Sequence, residues 1–168
     1  MTLTFTVFGE AIPQGSAKAF QPRYKDGTPA GRIIVTSDNP RLRGWRQLVA
    51  ETASAALEGT GWHTGVDAIA LVATFYLPRP KALGAKTKPH LTRPDVDKLA
   101  RAIGDALTGV CWHDDSQVVD LRVQKVYAAV GDSPRAEISI SAGEEGVGTT
   151  IATSVRAQHP LLPGLVAR

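Results

Sequence analysis

Four carboxylates bracket one helical stretch of this chain. Arg93-Pro94-Asp95-Val96-Asp97-Lys98-Leu99 opens the stretch, Gly109 closes it, and Trp112-His113-Asp114-Asp115-Ser116-Gln117-Val118 follows. Like charges a few Å apart raise one another's pKa or recruit a cation. Hard carboxylate oxygens suit Mg²⁺ or Mn²⁺ rather than zinc. A divalent ion held beside a basic surface is what metal-dependent phosphodiester cleavage requires. A plainer reading stands next to this one. Asp in a first turn gains from the helix dipole and the free N–H groups, and adjacent acids before a strand often form only a turn. A helix of this length spans about 20 Å, so its ends are far apart. The stretch from Val110 to Asp115 can also span about 20 Å if extended. The two acidic pairs are therefore permitted to meet, but not required to.

The cations near these acids carry two readings as well. Arg101 lies four residues after Asp97, a spacing that gives either a weak helix ion pair or a charge that stabilises phosphate. Lys98, next to Asp97, offers the same charge on a neighbouring face. The segment from Pro78 to Pro94 holds Arg79, Lys81, Lys86, Lys88 and Arg93, with His90, and no acid. Its prolines and Gly84 argue against regular structure. It reads as a basic loop suited to phosphates, or as a solvated linker.

The elements that must position these groups follow from hydrophobic periodicity. Leu3, Phe5 and Val7 alternate with Thr4 and Thr6 and predict a strand. Gly9 to Gly31 is turn-rich, carries Lys18, Arg23, Lys25 and Arg32, and reads as a long loop with room for a short strand. Ile33 to Thr36 is a second short strand. Asp38-Asn39-Pro40 starts a helix, with Asn39 as cap and Pro40 in the first turn. Leu42, Trp45, Val49, Thr52, Ala53 and Ala56 recur at helical spacing, up to Leu57. Val66 to Leu77 is a buried strand.

The central helix places Val96, Leu99, Ala100, Ile103, Ala106, Leu107 and Val110 on one face. Asp95 is its N-cap and Gly109 its stop. Val118 to Tyr127 is a strand whose apolar side is Val119, Leu121 and Val123. Ala136, Ile138 and Ile140 alternate in a last strand, joined to it as a hairpin. The fold class is α+β: a small mixed β-sheet of about four to five strands packed with two main helices.

The 168 residues fit one domain, over residues 1–141, with a tail of uncertain structure at 142–168. The formal net charge of +3 decides little alone. The single cysteine, Cys111, allows no internal disulfide, reads as a buried packing thiol, and fits a reducing cytoplasm. The first residues lack the pattern of a signal peptide, and no apolar run reaches membrane-spanning length.

The run from Arg93 to Leu99, with Asp105-Ala106-Leu107-Thr108-Gly109 and Asp114-Asp115-Ser116-Gln117-Val118, resembles the RusA-type Holliday junction resolvases. Lys125, in Val123-Gln124-Lys125-Val126-Tyr127, matches the family's strand lysine, and Ile12-Pro13-Gln14-Gly15-Ser16 is similar to its N-terminal loop. The resemblance covers roughly residues 1 to 141. It implies a small homodimeric endonuclease, often encoded by phages or prophages. Such an enzyme needs Mg²⁺ or Mn²⁺ and nicks two strands of like polarity at a four-way DNA junction.

The family's catalytic carboxylates fall on Asp95, Asp97 and Asp115, with Asp114 as acidic neighbour and further candidate metal ligand. Its catalytic lysine falls on Arg101, which keeps the charge but cannot lose its proton. Lys98 stands where the family has asparagine. Arg79, Lys81, Lys86, Lys88, Arg93, Lys98 and Lys125 are the candidate DNA contacts. Two rivals stay open: a metal-dependent nucleotide-sugar transferase, for which a Gly-rich phosphate loop is missing, and a DNA-binding protein of this fold that does not cut.

Overall fold

The most apolar strand takes the middle of the sheet. In the computed structural model β4 (Ile69–Leu77) buries Ile69, Leu71, Ala73, Phe75 and Leu77 on its helix-covered face. The structure describes residues 1–143, apart from Ser16, Asp38, Thr64, Val66 and Thr87. The expected start of β4 at Val66 and the tail from residue 144 onward lie outside the described residues.

The sheet has four strands in the order β1-β6-β4-β5. In it, β1 is Thr2–Phe8, β5 is Val118–Tyr127 and β6 is Arg135–Ala142. β1 and β4 both pair antiparallel with β6, and β4 pairs parallel with β5. The expected hairpin of the last two strands is therefore not formed, because β4 lies between them. The physical reason is burial. β4 has little polar surface and needs a partner on each side, whereas β5 carries Asp120, Arg122 and Gln124 and tolerates the edge.

A parallel pair needs a long crossover, and α2 (Val96–Leu107) supplies it. α2 buries Leu99, Ala102, Ile103, Ala106 and Leu107. Val96, expected on this face, is exposed, while Ala100 and Val110 are half-buried. The helix is rolled so that Ala102 packs inward. The other helix, α1 (Leu42–Leu57), buries Leu42, Trp45, Val49 and Ala53 and packs on α2 and β1. It begins later than expected. Asn39 Oδ1 still accepts the Arg41 N–H at 3.2 Å, but regular helix starts at Leu42.

β5 departs from its expected sidedness. A register irregularity sits between Ile69 and Ala70, which pair with Val118 and Asp120, so Val119 is passed over. Val119 and Leu121 are exposed, and of the expected apolar side only Val123 packs against the core. Separate from the sheet, β2 (Ala17–Phe20) and β3 (Ile34–Ser37) form a two-stranded ribbon. No helix among the described residues is long and apolar enough to cross a membrane.

The core sits between the sheet and the two helices, with Phe75 fully buried at its centre. Phe75→Ala is expected to cost about 3–5 kcal/mol, seen as a lowered urea midpoint with an unchanged slope.

Candidate functional site

α2 runs back along the sheet between two parallel strands. Its last turn therefore lies near the start of β5 and its first turn near the end of β5. Each end carries acids, and each end is fixed by a different set of bonds.

At the C-terminal end, Gly109 takes φ +80° and turns the chain toward Trp112. Gly109 N–H donates to the Trp112 carbonyl at 2.7 Å. The acidic turn is locked by Gln117. Its Oε1 accepts the N–H groups of His113 and Asp114 at 2.8 and 3.0 Å, and its Nε2 donates to the carbonyls of Gly65 and Asp67. Asp114 caps a short 3₁₀ turn, Asp115–Gln117, by accepting the Ser116 N–H at 2.8 Å. Hydrogen bonding from the Ser116 hydroxyl, and then from its N–H, holds the Asp114 carboxyl below its ordinary range. One oxygen of its carboxylate, Oδ1, is thus engaged by the turn. Asp115 points the other way. Its Oδ1 accepts from the Thr108 hydroxyl and from the Trp112 indole N–H, the latter at 3.2 Å.

At the N-terminal end, Asp95 occupies the N-cap position but makes no side-chain cap bond. It pairs with Lys98 Nζ at 3.5 Å and lines a polar cleft of about 500 Å³ with Arg41, Arg93 and Gln14. Gln14 N–H donates to the Lys98 carbonyl at 2.9 Å, so the N-terminal loop is seated on this turn. Lys125, expected as a DNA contact, is turned inward. Its Nζ donates to the carbonyls of Thr92 and Pro94 at 2.8 and 2.7 Å. His90 is buried against Tyr127, with ring centroids 4.3 Å apart. Burial, and then the Lys125 charge, hold its pKa below the ordinary value.

Between the two ends runs a groove of about 400 Å³, lined by Asp97, Arg101, Asp105 and Asp115 over an apolar floor that includes Leu71, Val118 and Leu121. Asp97, Arg101 and Asp105 fall four residues apart, one helical stripe. The Asp97–Arg101 ion pair, one of the two readings of that spacing, is not made, and the Arg101 guanidinium has no carboxylate partner among the described residues. Asp105 is instead neutralised by Arg46, which also donates to Gln14 Oε1 at 2.6 Å. Arg46, Asp105, Thr108 and Gln14 were not assigned roles from sequence. Arg46 lies far away in the chain and carries no local signal. Asp105 was findable as the third member of the stripe.

The four acids of one chain do not converge. Thr108, which holds Asp115, follows the last residue of α2, and Asp97 is the second. The two are about 16 Å apart along the axis. Mg²⁺ binds its ligands at about 2 Å, so one ion cannot take both Asp97 and Asp115 of the same chain. Among the described residues no three His, Cys, Asp or Glu side chains form a metal-binding group. The chain between Val110 and Asp115 does not return along the helix as sequence alone permitted.

The remaining cations divide. Arg79 is used internally. It donates to the carbonyls of Ala128, Gly84 and Lys86 and lies over the Tyr127 ring, so it holds the basic loop in shape. Lys81, Lys86, Lys88 and Arg93 are exposed. Cys111 is fully buried and its thiol is pushed up to about 12 by that burial, in agreement with a packing role.

A helix-crossed mixed sheet with an acid-and-arginine groove defines the class of protein, and comparison with known proteins gives its family. The family model described as endodeoxyribonuclease RusA matches residues 15–141. The uncharacterized protein YqaN of Bacillus subtilis (strain 168) is 32% identical over 148 residues, which is 82% of this chain and 94% of that protein. The chain belongs to the RusA endodeoxyribonuclease family.

Lys125 fixes the backbone that carries Asp95 and Asp97. Lys125→Met is expected to lose about 1.5–3 kcal/mol, the worth of hydrogen bonds from a charged donor, measured by urea unfolding. It is also expected to lower the rate of DNA cleavage at a temperature where both proteins are folded. An unchanged rate would leave Lys125 a stabilising residue only.

Proposed function

We propose that this protein is a Mg²⁺-dependent endodeoxyribonuclease that resolves four-way DNA junctions by paired symmetric nicks. Mn²⁺ is the natural substitute ion. The reading includes a homodimer, a role in DNA recombination and repair, a phage or prophage origin and a place in the bacterial or phage-infected cytoplasm. The observation that carries it is the groove along α2, in a chain of this family. In that groove, Asp97 and Asp115 stand at the two ends with Arg101 between them, its charge unpaired by any carboxylate among the described residues.

The chain's own groups divide the work. Arg101 offers a permanent cation to a phosphate lying in the groove, where stabilising developing negative charge counts most. It cannot move a proton, so its part is electrostatic. Lys81, Lys86, Lys88 and Arg93 stand exposed on the loop that leads into Asp95 and supply phosphate contacts that set affinity and salt dependence. Such contacts carry no base information, so the shape and symmetry of the junction select the substrate. Lys98 is held by Asp95 and contributes less as a free charge. The donors at the acidic positions are all carboxylate oxygens, which fits a hard ion. The donor chemistry therefore agrees with Mg²⁺, although the separation of the acids within one chain does not.

The test is cleavage of a synthetic four-way junction beside a linear duplex of the same sequence, with and without Mg²⁺. Paired nicks are expected in the junction alone, and only with the ion. Asp97→Asn is expected to lower the rate at least about a hundredfold, since even outer-shell changes cost 10–100-fold. Equal cutting of both substrates, or full activity in Asp97→Asn, would overturn the reading. Arg101→Ala is expected to lower the rate about a hundredfold. Arg101→Lys should retain much of the activity, because the charge is kept.

A further inference from the structure

We infer that the β2–β3 ribbon is a DNA-binding arm whose exposed rings, Phe20 and Tyr24, stack on bases left open where strands part at a branch point. Arg23, Lys25 and Arg32 hold the flanking phosphates. The inference rests on the proposed function and deepens it by naming what tells a branch from a linear duplex.

The arm stands off the body of the fold. β2 and β3 pair from Ala17 with Ser37 to Phe20 with Ile34, and among the described residues they pack closely on no other strand or helix. Beyond them the chain is hydrogen-bonded to its tip. The Ala30 N–H donates to the Pro22 carbonyl at 2.7 Å, the Tyr24 N–H to the Thr28 carbonyl at 2.9 Å, and the Gly27 N–H back to the Tyr24 carbonyl at 2.9 Å. Gly27 takes φ +86° to close that turn. From Ala17 to Tyr24 such a chain reaches about 20 Å. Its root is at the candidate site. Gln14 and Gly15 precede β2, Asn39 follows β3, and all three line the cleft that holds Arg93 and Asp95.

The arm's side chains point to its partner. Phe20 and Tyr24 are 51% and 64% accessible, and Ile34 beside Phe20 is exposed as well. Arg23, Lys25 and Arg32 are exposed among them. Residues 17–37 contain four of the chain's 19 Lys and Arg and one of its 16 Asp and Glu, so the whole formal charge of +3 resides here and the rest of the chain is neutral. The one acid, Asp26, accepts the Thr28 N–H and hydroxyl at 2.9 and 2.6 Å and is turned onto the arm itself. Arg23 gives one donor to the Gly27 carbonyl at 2.8 Å and keeps the rest of its fork. Rings among cations bind nucleic acid without regard to sequence, because every base has a π-face and every nucleotide a phosphate. Inside a duplex those faces are covered by neighbouring bases. At a branch point some are open, so the rings add affinity there while the cations act on both kinds of DNA. A purely apolar protein contact gives no reason for the concentrated charge.

The test is binding of the full chain, by fluorescence anisotropy in EDTA, to a four-way junction and to a linear duplex of the same sequence. The Phe20→Ala/Tyr24→Ala variant is expected to lose about tenfold or more in affinity for the junction and less than about twofold for the duplex, with an unchanged salt slope. Tyr24→Trp, which keeps a ring, is expected to bind the junction as wild type does. The Arg23→Gln/Lys25→Gln/Arg32→Gln variant is expected to weaken both complexes and to lower the slope of log K against log salt by up to about three. A 2-aminopurine at the branch point is expected to be quenched by the wild type and not by the ring variant. Equal losses on both DNAs, or a junction preference that survives in the ring variant, overturn the arm and leave the proposed function standing. A ring variant that sediments as a smaller species than the wild type assigns the rings to a contact between chains and overturns the arm too. A wild type with no preference for the junction overturns both readings.

Discussion

The packing of α2 against the sheet is the constraint on which the rest of this molecule depends. Leu99, Ala102, Ile103, Ala106 and Leu107 are buried at a single interface, and burying one such side chain is worth about 1.5–3 kcal/mol. With that face fixed, the opposite stripe of Asp97, Arg101 and Asp105 is fixed too, and it has to face the groove. The helix is also the crossover between β4 and β5, so its ends are tied to the ends of β5. The bonds from Lys125 to Thr92 and Pro94 and the bond from Thr108 to Asp115 are the two moorings of that arrangement. A polar site on a helix is precise only if the apolar side of the same helix is, and here twelve residues do both tasks.

The acidic motif after α2 shows how neighbouring, chemically identical groups are given different tasks. Asp114 and Asp115 are adjacent, yet their carboxylates point to different surroundings. The first closes a capping bond with Ser116, and its partner in the cap, Gln117, reaches back to Gly65 and Asp67. These bonds hold the backbone so that Asp115 can face the groove without being drawn into the turn. Of the two acids, Asp114 therefore also orients the turn that carries Asp115. The basic side of the site has the same logic: Arg79 gives its donors to three carbonyls, and this work shapes the loop that presents Lys81, Lys86 and Lys88.

Much of this was legible in the chain. Alternation placed β1 and β5, helical spacing placed both helices, and the family motif named the acids and Arg101. Local signals failed wherever a distant group decided the outcome. Strand order is one case, since alternation in β5 and β6 says nothing of β4 inserting between them. The exposure of Val119 and Leu121 is another. Their sequence pattern is that of a buried face, and only the edge position and the skipped pairing partner leave them in solvent. The inward turn of Lys125 is a third, because a lysine on a strand gives no hint that two carbonyls lie within reach. Arithmetic alone left Asp97 and Asp115 free to meet or to stay apart, since a helix of three turns separates its own ends but an extended Val110–Asp115 stretch is long enough to return.

That arithmetic bears on why the acids are exposed rather than buried. Several carboxylates gathered in a low-dielectric pocket would be costly before any cation arrived, because like charges a few Å apart cannot all stay ionised. Spacing them along about 16 Å of helix removes the repulsion within a chain, and Asp105 is neutralised by Arg46. With Asp105 already paired, Arg101 is left as the cation of the stripe that can meet a phosphate in the groove.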